Sequence, residues 1–319
     1  LFFIFLFNPQ AICSELNGKI VFSTQHELCI INLELKETWK SPIKIPLPFI
    51  KDIASNPEWM PNNDKIIFEY QPLKPRMKRH IAILDIKTKK VIAMEGNLFY
   101  ESGNLFFPNW SPNGRLLAFL KYKKLEMNKD KTGLVTGIRH FYKLIITDKS
   151  FEQYVDPQAA YATRSPISWS ADNNKIAFTT SDQHIAIYDL EKNKSFILEK
   201  GTSPLFNPLD GLIYYIAQDN HLYKIGVGKD PKIIDRGDWS WLVLLGFSND
   251  GDNLFFIERG SFLLWEYSTI NVFNLSSQKR KRISKKYAIL HGAAFTGKGG
   301  QSHNLLSRRK IKNVKAVRP

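Results

Sequence analysis

A pair of aromatic residues nine positions apart recurs five times along this chain, and it is the feature that most constrains the fold. The first aromatic precedes a stretch rich in Ser, Pro, Asn, Asp and Gly, and the second closes an apolar run; the pairs are Trp59/Phe68, Trp110/Phe119, Trp169/Phe178, Phe206/Tyr215 and Phe247/Phe256. Ser, Asn and Pro start tight turns, and Gly or Asn tolerates the positive φ at their ends. Each pair therefore predicts a β-hairpin, with the first aromatic at the end of one strand and the second aromatic in the next strand.

Each hairpin is followed by a third apolar stretch, which usually ends in Asp or Asn. Residues 81–85 (Ile-Ala-Ile-Leu-Asp) closely match residues 185–189 (Ile-Ala-Ile-Tyr-Asp); related stretches occupy 28–32, 144–148 and 270–274, with a weaker copy at 222–226. The terminal Asp or Asn favours a turn into a fourth strand, such as 90–94 or 195–198. Four short antiparallel strands, repeating at intervals of 37 to 59 residues, indicate the blades of a β-propeller.

The two ends of the repeating region each contain only part of a unit. Residues 18–22 match a second strand with no first strand before it, and residues 289–295 match a first strand with no second strand after it. Pairing these segments would complete a sixth blade and remove exposed strand edges. The prediction is an all-β fold, a six-bladed β-propeller of four-stranded antiparallel blades, with blades at 18–50 closed by 287–295, 51–98, 99–156, 157–200, 201–236 and 237–286.

Two of the repeats resemble the propeller repeat of the TolB family. They read Trp-Ser-Pro-Asn-Gly-Arg-Leu-Leu-Ala-Phe at 110–119 and Trp-Ser-Ala-Asp-Asn-Asn-Lys-Ile-Ala-Phe at 169–178; the usual TolB form is Trp-Ser-Pro-Asp-Gly, two variable residues and an apolar-Ala-Phe close. The resemblance covers nearly all of 18–295 and implies a periplasmic role beside a peptidoglycan-associated lipoprotein. The same repeat occurs in propellers of prolyl-oligopeptidase-type peptidases, so it implies a fold more strongly than a function. No counterpart of the α/β domain that precedes the TolB propeller is expected in this sequence.

The first seven residues of the sequence, Leu-Phe-Phe-Ile-Phe-Leu-Phe, are all apolar. This run is too short to span a bilayer and fits the apolar core of a secretory signal peptide, with Ala11 and Cys13 as the small residues before a cleavage site. We therefore expect residues 1–13 to be a signal peptide, 14–295 the propeller and 296–319 a basic, disordered tail in an exported protein. An additional N-terminal strand is the alternative. Cleavage would leave Cys29 as the single cysteine, without an internal disulfide.

The positive charge is concentrated at one end of the chain. The formal net charge is +15, yet no Asp or Glu follows Glu266, and the 13 basic residues from Lys279 onward leave about +2 on the remainder. This end predicts contact with anionic lipid or polysaccharide by counterion release, through the basic residues Lys279, Arg280, Lys281, Arg282, Arg308, Arg309 and Lys310. A solvated tail without a partner is the alternative. No aromatic residue follows Phe295, so base stacking and nucleic-acid binding are not expected.

Motifs that would indicate catalysis or a cofactor are missing from the sequence. There is no Gly-x-Ser-x-Gly nucleophile elbow, no complete Gly-x-x-x-x-Gly-Lys-Ser/Thr phosphate loop and no His-x-x-x-His or paired-Cys zinc spacing. His80, His184 and His221 precede third strands of separate repeats, which would place them far apart. We therefore expect no catalytic residues, no cofactor and no metal site, and we favour a protein that is not an enzyme.

Propellers bind partners at the mouth of the central channel, on the loops between blades. The residues predicted to contact a protein partner there are Tyr100, Tyr161, Arg164, Trp239, Trp241 and His291; Asp52 and Ser55 lie on the same set of loops. Exposed Trp and Tyr residues anchor many interfaces, although the two Trp rings could instead pack between blades. A basic insertion at 121–143, between the second and third strands of one repeat, is expected to be either a functional loop or a solvated hairpin.

Three functions remain open from the sequence. The first is a monomeric, non-enzymatic interaction scaffold of the cell envelope that holds a protein partner on these loops. The second is a propeller enzyme of the lyase or lactonase type, with His, Asp or Glu clustered in the channel. The third is binding to polyanions or a membrane surface through residues 279–319, which high salt should weaken.

Overall fold

The computed structural model describes residues 18–24, 27–34, 43–46, 53–71, 79–94, 104–129, 131–148, 154–155, 162, 165–239, 242–262, 265–286 and 293–296. The predicted signal peptide and nearly all of the predicted tail lie outside this part of the chain. All regular structure in the described residues is β-strand, which confirms the predicted all-β class. These residues accordingly contain no helix that could cross a bilayer.

The strands form antiparallel sheets in which chain neighbours pair. The first sheet contains β1 (Lys19–Ser23), β2 (Glu27–Asn32) and β3 (Ile43–Pro46); the second contains β4 (Ile53–Trp59), β5 (Lys65–Gln71), β6 (His80–Asp85) and β7 (Val91–Ala93); the third contains β8 (Leu105–Trp110), β9 (Leu116–Lys129), β10 (Val135–Asp148) and β11 (Tyr154–Val155). A seven-stranded sheet follows, with β12 (Ser168–Trp169), β13 (Lys175–Thr179), β14 (His184–Asp189), β15 (Lys194–Phe206), β16 (Ile213–Ala217), β17 (Leu222–Ile225) and β18 (Lys232–Asp235). The last sheet contains β19 (Leu242–Phe247), β20 (Asn253–Phe262), β21 (Trp265–Asn274) and β22 (Lys279–Arg282), and β23 (Ala293–Thr296) joins the first sheet.

The aromatic pairs form hairpins as predicted. Trp59 ends β4 and lies opposite Ile66 of β5, and Trp110 ends β8 and lies opposite Leu117 of β9. The second aromatic of every pair is fully buried, which explains why a large ring recurs there; these residues are Phe68, Phe119, Phe178, Tyr215 and Phe256. The nine-residue spacing is therefore the length of chain from the end of one strand, through a tight turn, to a buried position in the next strand.

The turns between the paired strands repeat the same local chemistry. The residue that ends each turn has a positive φ, as at Asn63 (56°), Gly114 (64°) and Asn173 (65°), where Gly or Asn is the least strained choice. In three turns a Ser hydroxyl accepts the backbone N–H of the residue that starts the next strand, at 2.9 Å each; these residues are Ser111, Ser170 and Ser248. The turn sequence therefore fixes the register of each hairpin.

The seven-stranded sheet contains two four-strand sets that share β15. Residues 194–200 of β15 pair with β14, and residues 201–206 pair with β16. A Cβ atom at Gly201 would lie 2.5 Å from Cδ2 of Tyr215 and 2.7 Å from the carbonyl oxygen of Ile216, closer than non-bonded atoms approach. Glycine is therefore required where β15 passes from one set to the next.

The first sheet brings together strands from the two ends of the repeating region, in the order β23-β1-β2-β3. β23 pairs antiparallel with β1 from Lys19↔Thr296 to Phe22↔Ala293, as the incomplete units at the two ends predicted. The observed strand starts at Ala293, four residues later than predicted. Residues 292–298 match the first seven positions of a phosphate-loop pattern, but Gly299 stands where that pattern has Ser or Thr. Residues 293–296 within this match form a paired strand, so they do not form the loop that a phosphate site needs.

Hydrophobic clusters lie between consecutive four-strand sets. One cluster joins Val21 and Leu28 of the first sheet to Trp59 and Phe68 of the second. Another joins residues of the last sheet to β1 and β2, with members that include Ile20, Phe22, Phe255, Ile257 and Ile270. The first strands of the sets also contact one another in turn: β4 contacts β8, β8 contacts β12, β12 contacts β15, β15 contacts β19, β19 contacts β23, and β23 contacts β4.

The insertion predicted at 121–143 forms a regular hairpin. β9 and β10 pair from Leu116↔Asp148 to Val135↔Lys129, with register shifts at two places. We call residues 121–143 the long arm, because β9 and β10 are longer than the second and third strands of the other sets, which have ten residues at most. The ladder continues to Lys129 and Val135, with five residues between them, so the insertion is a hairpin, and a functional role for it stays a prediction.

Candidate functional site

One end of the fold collects the connections between consecutive four-strand sets. Because the strands are antiparallel, these connections lie at the same end as the links between second and third strands. The backbone N–H of Leu105 donates to the carbonyl oxygen of Arg79, and that of Tyr122 donates to Asn104. We call this end the loop face, defined by Ser55, Arg79, Asn104, Tyr122 and Ala162, and it is where the partner-binding residues were predicted.

Most of the predicted partner-binding residues lie outside the described part of the chain. They are Tyr100, Tyr161, Arg164, Trp241 and His291. Ala162, which stands between Tyr161 and Arg164, is described and buried. Its backbone pairs on one side with Tyr142, at the base of the long arm, and on the other with Thr180. The backbone at Ala162 is therefore held against the base of the long arm.

The structure corrects the prediction that Trp239 is an exposed anchor for a partner. Its side chain has no accessible surface, and its ring packs against Phe256 and Phe273 with centroids 5.1 and 5.6 Å away. Its indole N–H donates to Oδ2 of Asp235 at 2.9 Å. Of the two interpretations left open by the sequence, packing between consecutive strand sets is the one that applies to Trp239.

Arg280, which was predicted to bind polyanions, is engaged within the protein. Its Nη2 donates to Oδ2 of Asp235 at 2.6 Å, and its guanidinium carbon lies 4.3 Å from the centre of the Trp239 ring. Burial alone would raise the pKa of Asp235, but hydrogen bonds from Arg280, Trp239 and the Gly237 amide hold it below its usual value. Arg280 therefore fastens β22 to the end of β18, and less of its charge is available to an external anion.

The other predicted polyanion-binding residues fall into two groups. Lys279, Lys281 and Arg282 belong to β22, which pairs with β21 on one side. Charged side chains on an outer strand also protect the open edge from pairing with other chains. Arg308, Arg309 and Lys310 lie outside the described residues, so their role stays a prediction.

The loop face contains a buried carboxylate, Glu69, that the sequence analysis did not single out. Its side chain is 1% exposed. Oε2 accepts hydrogen bonds from Ser55 Oγ at 2.9 Å and Arg79 Nη1 at 3.1 Å, while Oε1 accepts from Asn56 Nδ2 and from the Phe107 amide at 2.9 Å. Four donors from three neighbouring segments therefore satisfy this charge, as a buried ion requires.

The Glu69 cluster joins two sheets through a backbone irregularity. Asn56 and Phe107 both have positive φ, 47° and 52°, at register shifts in β4 and β8. The irregularity in β8 turns the Phe107 amide away from β9, so that it donates to Glu69 of the preceding set. Arg79 also donates to Oε1 of Gln71 at 3.0 Å and lies over the Phe106 ring. The cluster thereby fixes the shape of the loop face between β4 and β8.

A second carboxyl group, Glu58, lies on β4 among the first strands. Part of its side chain remains accessible, but protein atoms surround its carboxyl group, and this burial raises the pKa well above the usual value. Residues at the corresponding position of later sets bond to the next set: Asn109 Nδ2 donates to Ile167 O, and Ser168 Oγ accepts from the Phe206 amide. Glu58 thus occupies a site where two later sets carry uncharged polar groups, Asn109 and Ser168.

Replacement of Glu58 by Gln should stabilise the protein at neutral pH. The carboxyl group of the unfolded chain loses its proton near its ordinary pKa of 4.5, while the folded group holds it to higher pH. Stability therefore falls as pH rises above 4.5 and stays lower once both states are ionised. We expect Glu58→Gln to gain about 1–3 kcal/mol at pH 7 and almost nothing at pH 4. Thermal unfolding at pH 4, 5.5 and 7 measures this, with exposed Glu126→Gln as control; an equal effect of Glu58→Gln at all three values would contradict it.

The long arm carries exposed apolar and basic side chains. Met127, Leu134 and Val135 near its end are 55%, 68% and 44% exposed. Lys123, Lys124 and Lys131 are also exposed, and Lys124 bonds to Glu126 at 2.5 Å. At the base of the arm, Tyr122 and Tyr142 pack edge to face, 5.8 Å apart. The arm therefore has an anchored base and a solvent-facing end.

The remaining ionisable groups are dispersed through the fold. His80 begins β6, His184 begins β14 and His221 precedes β17, so the three belong to different four-strand sets. In the described residues no three His, Cys, Asp or Glu side chains are grouped as metal ligands would be. Cys29 is buried and carries a free thiol, whose pKa is raised to about 11, mainly by burial.

Solved structures similar to this one include two TolB structures and a chain of a nidogen/laminin complex. TolB from Acinetobacter baumannii is 14% identical with a TM-score of 0.64, over 87% of this chain and 66% of that one. A protein assigned as TolB from Agrobacterium tumefaciens is 12% identical with a TM-score of 0.57, over 88% and 98%. A chain of a nidogen/laminin complex is 9% identical with a TM-score of 0.57, also over 88% and 98%.

These likenesses show the fold: the chain is a β-propeller similar to that of TolB. It spans just under two thirds of the A. baumannii TolB chain. No protein-family model matches the sequence, and a comparison with curated proteins gave no match. The resemblance noted from the Trp-Ser-Pro-Asn-Gly repeat is therefore confirmed for the architecture.

Proposed function

We propose that this protein is a non-enzymatic interaction scaffold of the cell envelope, a closed six-bladed propeller whose loop face holds a protein partner. The observation that carries the proposal is the construction of that face. The Glu69 cluster stiffens it, and the pairing of Ala162 with Tyr142 holds the backbone at position 162 against the base of the long arm. Rigid elements that present adaptable loops are a common basis for binding sites.

Two observations support the closed, six-bladed form. The first strands contact one another in a cyclic order that returns from β19 through β23 to β4. The seven-stranded sheet divides at Gly201 into two four-strand sets, so the sheets correspond to six such sets in all. Closure through β23 leaves no unpaired inner edge on β1.

Export and protein binding have separate supports. Export rests on the apolar segment at residues 1–7, which lies outside the described residues. Protein binding is supported by the similar propeller found in a nidogen/laminin complex and by the similarity to TolB. The residues proposed to contact the partner are Tyr100, Tyr161, Arg164, Trp241 and His291, which lie outside the described residues.

A cross-linked pull-down from envelope extract tests the proposal. The baits are the full chain and a variant with Tyr100, Tyr161, Arg164 and Trp241 replaced by Ala. We expect the full chain to retain one protein at high salt and the variant to retain at least about tenfold less, because aromatic and Arg anchors dominate interface energies.

The matched control replaces Leu209 and Val227, exposed apolar residues in turns at the opposite end of the fold, by Ala. It should retain the partner as well as the wild-type chain does. Equal retention by all three baits, or retention that disappears at high salt, would count against a partner site on the loop face.

A further inference from the structure

The long arm projects beyond the sheet to which it belongs. β8 pairs with β9 only as far as Lys121, and the outer partners of β10 reach only to Tyr142. β9 continues for eight residues past Lys121, to Lys129. At about 3.3 Å per residue, this places the end of the arm on the order of 25 Å from its base. The end therefore lies far from the apolar clusters between the sheets.

The end of the arm concentrates exposed apolar side chains. Nine large hydrophobic residues are exposed in the described part of the chain, and three of them, Met127, Leu134 and Val135, lie on this one hairpin. The other six are distributed over separate strands and turns. Met127 lies on β9, Val135 begins β10 and Leu134 immediately precedes it, so the three form a convex point at the projecting end of one hairpin.

The long arm that carries this apolar point has a net positive charge. The long arm contains six Lys residues and Arg139 against Glu126 and Asp130, a formal net charge of +5. Lys123 is exposed on β9 four residues before Met127, and Lys131 is exposed in the turn between Met127 and Leu134. Long basic side chains of this kind can lie along apolar surface and keep their ammonium groups at a polar boundary.

We propose that the end of the long arm inserts into the surface of an anionic phospholipid bilayer. A convex apolar point buries its surface when the surrounding medium adapts to its shape, as acyl chains at a bilayer surface do. The adjacent lysines then meet the phosphate and carboxylate groups of the lipids. A protein partner would need a matching cavity, and a hydrophilic polyanion would leave the apolar residues in water. The inference is independent of the proposed partner site on the loop face.

Vesicle binding of the full chain tests this inference. We expect vesicles that contain phosphatidylglycerol in phosphatidylcholine to bind at least about tenfold more tightly than phosphatidylcholine alone. The triple variant Met127→Ser, Leu134→Ser, Val135→Thr should lose at least about tenfold of that binding. Its matched control, Ile43→Ser, Leu209→Ser, Val227→Thr, removes three residues of similar exposure elsewhere and should bind as the wild type does.

A dye placed at the end of the arm separates insertion from attraction by the basic C-terminal end. Leu134→Cys, in a chain with Cys13→Ser, is labelled with an environment-sensitive dye; buried Cys29, whose pKa is about 11, should resist labelling. Anionic vesicles should raise and blue-shift the fluorescence, whereas the same dye at Leu209→Cys should not respond. No vesicle binding, or binding without a response at position 134, would overturn the inference.

Discussion

Replacement of Glu69 by Ala should destabilise the protein by about 3–5 kcal/mol, the range observed when one partner of a buried ion pair is removed. The substitution leaves Arg79, Ser55, Asn56 and the Phe107 amide without their common acceptor. It also removes the contact that fixes the irregular part of β8 against the preceding sheet. Chemical denaturation of the wild-type and variant chains measures the loss directly, provided that both transitions are two-state.

A second variant at Glu69 shows whether its charge or its volume matters, and a variant at Glu126 is the matched control. Glu69→Gln keeps the size and some acceptors, so it should cost less than Glu69→Ala, on the order of 1–2 kcal/mol. Glu126→Ala removes an exposed carboxylate paired with Lys124 and should change stability by less than about 0.5 kcal/mol. A Glu69→Ala variant as stable as Glu126→Ala would show that the buried network adds nothing to the fold.

A chain ended after Gly292 should be less stable by at least about 3 kcal/mol than a chain ended after Gly297. The shorter chain lacks β23, whose four residues pair with β1, and each backbone hydrogen bond contributes about 1 kcal/mol. β23 also contacts β4 and β19, so its loss would leave a gap between the first and last sheets. The five residues between the two end points therefore carry the difference.

The longer of the two truncated chains is the matched control, because it lacks residues 298–319 and keeps β23. Its midpoint of thermal unfolding should equal that of the full chain. If both truncated chains melt together with the full chain, β23 does not close the propeller, and the proposed six-bladed ring loses its main support. If both are equally destabilised, the tail takes part in the fold, and the predicted boundary at 295–296 is misplaced.

The hairpins could be predicted from sequence because the information that forms them is local. A Trp or Phe at the end of one strand, a turn with Asn or Gly at positive φ, and an apolar run lie within ten residues of each other. The turn at Ser111–Gly114 shows this, since its own side chains complete its hydrogen bonds. The third strands also repeat, mostly with a terminal Asp or Asn, so local sequence predicts their positions too.

The buried polar contacts could not be predicted in the same way, because they depend on distant segments. Glu69 meets the Phe107 amide only once β8 lies beside β4 and adopts its irregular register. The sequence did contain a signal: the same position is apolar in three of the other four repeats, at Leu120, Ile216 and Ile257, and holds the uncharged Thr179 in the fourth. A charged residue in a repeated apolar position marks a site where the surroundings must supply donors.

The sequence left the burial of Trp239 and the strand structure of the long arm ambiguous, for different reasons. An aromatic residue next to a loop is equally suited to a core or an interface, and the choice depends on Asp235 and Arg280, which bind and cover the ring. In the long arm, the register shifts at Lys123 and Thr136 put the alternation of apolar and polar residues out of phase. A search for strict alternation therefore does not identify this hairpin as a continuous pair of strands.

The strand shared between two four-strand sets also limits how the propeller can move. A hinge needs residues that change their dihedral angles without losing hydrogen bonds, and connecting loops supply such residues elsewhere in many proteins. At β15 the backbone leaves one ladder and enters the next at consecutive residues, Lys200 and Gly201. The two sets can rotate relative to each other only if ladder bonds break, so together they are less able to flex than two sets joined by a connecting loop.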